Sequence, residues 1–224
     1  KVGVVWYTSL RDPAGLENYN IWFAILNPSG SLAYGPVNLT NNDAWGSWQA
    51  GNIVQLYDPD ISASTDNRFF ISWEKMNQSA DTYDIFYTIR QSSGAVVVPV
   101  TAMTASVSGT HYFPTAQIAL SGNRFFVTYA YYHPSGQNYI RELLYRVFDT
   151  SGGTLTPPST LDFYAETAVQ LSGGNILLAN TEYEDEIRYQ IRNGTSYGFV
   201  SESGLSHPSG KVGYRTLAVT KDAN

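Results

Sequence analysis

The chain has 224 residues, 43% of them hydrophobic and only 14% charged, which provides for a sizeable core and excludes an intrinsically disordered chain. Its formal net charge of −6, with 13 scattered Lys and Arg, argues against nucleic acid or an anionic membrane as partner, because both require clustered cations. The lack of cysteine excludes disulfides, thiolate metal sites and Cys nucleophiles, and no apolar run reaches the roughly 18 residues of a membrane span.

With 17 Tyr, 10 Phe and 5 Trp against 2 Met, and 19 Gly to make turns, the composition predicts an all-β fold. Taken in order, Lys1-Val2-Gly3-Val4-Val5-Trp6-Tyr7 reads as a short apolar strand, followed by Ile21-Trp22-Phe23-Ala24-Ile25-Leu26 and a turn at Asn27-Pro28-Ser29-Gly30. A strand over 60–64 then leads into Asp66-Asn67-Arg68-Phe69-Phe70-Ile71-Ser72-Trp73, and the pattern continues through Ile85-Phe86-Tyr87-Thr88-Ile89-Arg90 and the turn Gln91-Ser92-Ser93-Gly94 to a strand over 95–100. The next unit repeats this with a strand over 115–120, Gly122-Asn123-Arg124-Phe125-Phe126-Val127-Thr128-Tyr129, a strand over 143–148 and the turn Asp149-Thr150-Ser151-Gly152. A weaker copy runs from 167–171 through Gly174-Asn175-Ile176-Leu177-Leu178-Ala179-Asn180 to a strand over 187–192 and Asn193-Gly194. The last strand, over 216–220, has no unit behind it.

Four antiparallel strands per unit of about 50–65 residues match a propeller blade in size and content. The expected architecture is a β-propeller of four-stranded antiparallel blades, either four blades or part of a larger propeller. The approximate repeats are 1–55, 56–111, 112–163 and 164–213 in one domain spanning 1–224, with 214–224 closing the ring or continuing into a longer array. The Asn-Arg-aromatic segments and the Ser-Gly turns resemble bacterial secreted β-propeller repeats, at the level of the blade. That resemblance implies a fold without implying an activity.

Tight turns alternate with long connections, so the long loops gather on one rim, where function is expected to sit. Aromatic residues recur where the chain enters each inner strand: Tyr57, Tyr112 with Phe113, Phe163 with Tyr164, and Tyr214, with Trp45 and Trp48 in the longest preceding loop. Planar faces beside Asp and Asn suit sugar rings, whose C–H faces stack while their hydroxyls bond to acceptors; the competing expectation is that these rings pack the blade seams. Among carboxylates, Asp58, Asp60, Glu166 and the acidic loop of Glu182, Glu184, Asp185 and Glu186 are the candidates for catalysis, with Asp60 and Glu166 the pair to test as acid and base. His111, His133 and His207 match no ligand spacing, so no metal and no cofactor are expected. The sequons at Asn38, Asn77 and Asn193 are candidate glycosylation sites in a secreted protein.

On these residues the leading expectation is a non-catalytic extracellular or cell-surface repeat domain, structural or adhesive, whose partners are copies of itself or other surface proteins. The alternatives are a glycan-binding propeller using the aromatic rim, and a glycoside hydrolase or polysaccharide lyase using rim carboxylates.

Overall fold

The computed structural model describes residues 1–47, 49–104, 110–135, 138–182 and 186–206. The first sheet holds β1 (Val2–Arg11), β2 (Glu17–Leu26) and β3 (Leu32–Asn38), paired in that order. The second unit is β4 (Val54–Ala63), β5 (Arg68–Asn77), β6 (Thr82–Gln91) and β7 (Val96–Ala102); the third is β8 (His111–Leu120), β9 (Arg124–Ser135), β10 (Asn138–Asp149) and β11 (Thr154–Thr160). The fourth is β12 (Thr167–Gln170), β13 (Ile176–Glu182), β14 (Glu186–Arg192) and β15 (Phe199–Ser206). Within each unit sequential strands pair antiparallel, and one parallel bridge, Tyr83 to His111, ties β6 to β8. The inner strands β4, β8 and β12 lie side by side, as in a β-propeller. The strand expected over 216–220 lies outside the described residues, so β1 to β3 stand among them as a three-stranded sheet.

The inner strands β4 and β8 begin several residues before the segments the sequence marks as strands. The reason is a bulge in each. Tyr57 pairs with Glu74 and Asp60 with Ser72, leaving Asp58 and Pro59 opposite Trp73 alone, with Asp58 at φ 49. In β8 the same shift falls between Pro114 and Ala116. An extra residue and a proline break the alternation by which a strand is recognised, while the chain keeps its direction.

Apolar runs such as Phe69-Phe70-Ile71 arise because both faces of a blade are covered. Phe69, Ile71 and Trp73 point into the seam with the first sheet, beside Ile21, Phe23 and Ile25. Phe70 points the other way, into the seam with the third unit, beside Phe125, Val127 and Phe148. A third seam joins Phe126, Tyr145 and Val147 to Ile176 and Leu178. Along the β5 face that carries Phe70, the next alternate residues are Ser72 and Glu74, so this seam turns from apolar to polar toward the long-loop rim. Ser72 is buried and donates to Gln117 Oε1 at 2.7 Å.

The repeated Asn-Arg pair has a physical role at the tight-turn rim. Asn67 and Asn123 sit in the left-handed region at φ 62 and φ 55, which asparagine tolerates better than most residues. The basic residue that follows reaches the carbonyl of the equivalent hairpin turn in the next unit: Arg68 Nη1 to Thr150 O at 2.6 Å, and Arg124 Nη2 to Gly194 O at 3.3 Å. Lys1 makes the matching contact to Ser92 O at 3.1 Å. Asp66 completes the second clasp by accepting from Thr150 Oγ1 at 2.7 Å and pairing with Arg68 at 3.3 Å.

A buried asparagine network fixes the long connection after β3. Asn20 Oδ1 accepts from Asn38 Nδ2 at 2.9 Å, Thr40 Oγ1 at 3.1 Å and Asn42 N at 2.8 Å, while its Nδ2 donates to Asn18 Oδ1 at 2.7 Å. Leaving a buried partner, Asn18, and three half-buried ones unmet costs up to about 1–3 kcal/mol each before relaxation, the half-buried groups least because water reaches them. We expect Asn20→Ala to lower unfolding free energy by about 2–3 kcal/mol in a denaturant titration and to raise amide exchange over residues 38–44.

Candidate functional site

On the long-loop rim, β4, β5, β8 and β9 and the segment before β12 enclose a cavity of about 550 Å³ lined by Asp58, Glu74, His111, Phe113, Pro114, Ala130, Tyr132 and Tyr164. Its position follows from the fold. The β4 bulge carries Asp58 to the wall, and the alternation of β5 turns Glu74 toward the third unit. Ala130 stands at the position of β9 equivalent to Glu74, so a small side chain leaves room opposite the acid.

Glu74 is 1% exposed, and its Oε1 is buried without a hydrogen-bond partner. Burial pushes its carboxyl up to about 8, opposed by hydrogen bonding with the Tyr57 hydroxyl and helped by the charge of Asp58. The Tyr57 hydroxyl is pushed up in turn, by burial first and then by Glu74. At neutral pH the pair therefore presents a protonated carboxyl on a cavity wall, the state a proton donor requires.

The opposite wall is aromatic. Phe113 meets Tyr132 edge to face with centroids 5.4 Å apart, and Tyr83 lies 4.4 Å from His111 and 5.4 Å from Phe113. His111 Nε2 is 3.3 Å from Asp81 Oδ1. Tyr164 carries the Arg141 guanidinium 5.4 Å from its ring centroid. Such faces with a few polar groups suit a sugar ring.

The residues singled out in the sequence are distributed unevenly. Phe113 and Tyr164 line the cavity, and Tyr57 adjoins it through Glu74. Tyr112 instead stacks on Tyr131 at 4.6 Å and Phe163 is buried in a seam, so packing accounts for those two rings. Trp45 is 44% exposed in its loop, while Trp48 and Tyr214 lie outside the described residues. Asp60 stands on β4 past the bulge; it keeps exposed surface, yet the protein around it pushes its carboxyl up to about 6 against a bond from Ile61 N–H. Glu166 is exposed and its backbone N–H donates to Ala179 O at 2.9 Å. Neither Asp60 nor Glu166 lines this cavity.

Glu184, Asp185 and His207 lie outside the described residues, as do the side chains of Glu182 and Glu186. His133 is remote in role, stacking on Tyr131 at 4.9 Å and approaching Glu142 at 3.3 Å. Among the described residues no group of three or more His, Asp or Glu is arranged to hold a metal ion. Of the sequons, Asn38 spends its amide nitrogen on Asn20, whereas Asn77 and Asn193 use Oδ1 to hold turns. A second cavity of about 230 Å³, in the seam of the first two units, is lined by residues including Asn41, Asp43, Lys75 and Phe86. There the Lys75 ammonium lies 5.2 Å from the Phe86 ring centroid.

Glu74 was missed by sequence reasoning because it reads as the polar end of a strand. The signal lay in the repeat itself: Phe69 to Trp73 align with Phe125 to Tyr129, and the next residue is Glu in one unit and Ala in the other.

No protein-family model matches the chain, and no curated protein does. Solved structures similar in fold include an α-L-arabinanase of Penicillium chrysogenum, in complex with arabinobiose, at 13% identity and a TM-score of 0.59 over 92% of this chain and 60% of that one. An α-L-arabinofuranosidase of Fusarium graminearum aligns at 14% identity and a TM-score of 0.55, covering 93% of this chain and 60% of that one. A polysaccharide lyase active on ulvan aligns at 9% identity and 0.51, over 88% of this chain and 54% of its own. The chain thus spans about 60% of the length of the first two, and these likenesses bear on the fold, a β-propeller.

Proposed function

We propose that the cavity is the active site of a glycoside hydrolase, with Glu74 as the proton donor. The observation that carries this is the buried Glu74 carboxyl, its Oε1 without a hydrogen-bond partner, on the wall of a cavity large enough for a sugar unit. A structural or adhesive module, the reading the sequence placed first, has no use for an acid held against its own solvation. The fold neighbours are glycan-cleaving enzymes, which supports the same direction.

In this reading the protonated Glu74 gives its proton to the glycosidic oxygen as the C–O bond breaks. The Asp58 carboxylate on the same wall stabilises the positive charge that develops at the anomeric carbon, and water adds there, releasing a proton. The linear arabinan suggested by the fold neighbours is the first probe, followed by xylan and mannan, with release of reducing ends as the readout. Because the donor must be protonated, kcat/KM should fall as pH rises through about 8, the value to which burial raises Glu74. A profile flat across that range, or turnover that survives Glu74→Gln, overturns the assignment.

The aromatic wall of Phe113, Tyr132 and Tyr164 also favours a second reading, glycan binding without turnover. Binding of a glycan with no release of reducing ends from any of the three polysaccharides would decide for it.

A further inference from the structure

We propose that Asp58 makes this cavity selective for uncharged glycans and excludes those carrying uronate or sulfate groups. The proposal rests on the glycan site described above and concerns which sugars that site admits.

Two carboxyl groups, Asp58 and Glu74, share the wall, and Asp58 is the exposed one. It is presented by the β4 bulge at φ 49, a conformation that fixes it beside Tyr57 and Glu74, both of which sense its charge. The remaining polar lining is His111, which is engaged by Asp81 at 3.3 Å, and the tyrosine hydroxyls of Tyr132 and Tyr164. Among the described residues the lining contains no Lys or Arg; Arg141 is not among the lining residues, and its guanidinium lies 5.4 Å from the Tyr164 ring centroid. Glu74 is among the lining residues, and its buried Oε1, which has no hydrogen-bond partner within the protein, is an unmet hydrogen-bonding position at that wall.

A sugar hydroxyl or glycosidic oxygen meets that position well, since each pairs with a protonated carboxyl. A uronate carboxylate brings a second negative charge beside the Asp58 carboxylate, with no lining Lys or Arg to offset it. The same deficit opposes β-elimination. That reaction removes the proton on the carbon next to a uronate carboxylate, breaks the C–O bond at the adjacent position and forms a C=C bond, and the carboxylate must be neutralised for the proton to leave. Hydrolysis of a neutral glycan makes no such demand.

The test titrates the Glu74→Gln protein, which retains a neutral side chain at that position, with arabino-oligosaccharides and with oligogalacturonides of equal length. The arabino-oligosaccharides should bind at least tenfold more tightly, and adding Asp58→Asn should narrow the gap by about tenfold by strengthening uronate binding. Asparagine accepts the left-handed backbone at this bulge, so the fold is preserved. Equal or tighter binding of oligogalacturonides, an unchanged ratio in the Asp58→Asn variant, or unsaturated uronate products from polygalacturonate and the wild-type chain would each overturn the proposal. Binding of neither class to any variant would instead remove the glycan site itself, and this proposal with it.

Discussion

Glu74→Gln should abolish hydrolysis while making the protein more stable at neutral and alkaline pH. The loss of rate should be about 10²–10⁴-fold, the usual range for a positioned general acid, because glutamine keeps the shape of the side chain but has no proton to give. The gain in stability follows from where the proton goes. The ordinary carboxyl value is 4.5, and burial raises it to about 8 in the folded protein. Between those values the folded state holds a proton that the unfolded chain has released, so folding stability is fully present below about pH 4.5 and declines as pH rises through 8. At the upper end the wild type carries a penalty of a few kcal/mol that the variant lacks. Melting temperatures of the two proteins should therefore converge near pH 4 and separate with rising pH, the variant higher. A structural Glu74 would give the opposite pattern, with the variant less stable at every pH and no specific loss of turnover. Loss of function together with gain of stability is the mark of a group held in place for chemistry.

The blades were legible in the sequence because the features that define them are local. Phe69-Phe70-Ile71 and Phe125-Phe126-Val127 are apolar on both faces, and the turns that end the outer hairpins announce themselves through Ser-Gly. Even the recurring Asn-Arg pair was visible, at Asn67-Arg68 and Asn123-Arg124, although its purpose was not. Reaching Thr150 O from Arg68 requires knowing that residues 82 positions apart meet at one rim, which only the stacking of blades reveals. The inner strands were half legible, since the bulges at Pro59 and Pro114 hide their upper portions. The candidate site was the least legible part. Phe113 and Tyr164 were marked by recurrence alone, the same criterion that also selected Tyr112 and Phe163, which pack in seams. Of the carboxylates the sequence singled out, Asp58 reaches the cavity wall, whereas the acid that matters for the cavity lies in β5 and is distinguished by being buried. Burial of one polar residue in a strand depends on what stands across the seam, and Ala130 comes 56 residues later.

The seam beneath the cavity carries the second large expected effect. Phe70 is fully buried where units two and three meet, with its centroid 5.1 Å from Tyr87, 5.1 Å from Phe125 and 5.5 Å from Phe148. Its neighbours come from three strands besides its own, β6, β9 and β10, so the ring joins two units whose backbone ladders meet at the parallel bridge of Tyr83 and His111. Truncation to alanine removes the ring and leaves a void that the surrounding aromatic groups, held by backbone ladders on both sides, close only in part. We expect Phe70→Ala to cost about 3–5 kcal/mol in denaturant unfolding, against about 1 kcal/mol or less for Phe70→Leu with repacking. Ser72 and Glu74 continue the same face of β5 upward, so the damage should propagate to the site. The cavity wall depends on how β5 sits against the third unit, and the Phe70 ring packs between the two through Phe125 and Phe148. Turnover in Phe70→Ala should thus fall even at temperatures where the protein remains folded, while Phe70→Leu keeps both folding and turnover near wild type. Equal activity in the two variants would mean that the two units are held in register by their polar contacts, the Arg68 clasp on Thr150 and the Ser72–Gln117 bond, and that the aromatic seam stabilises the fold without positioning Glu74.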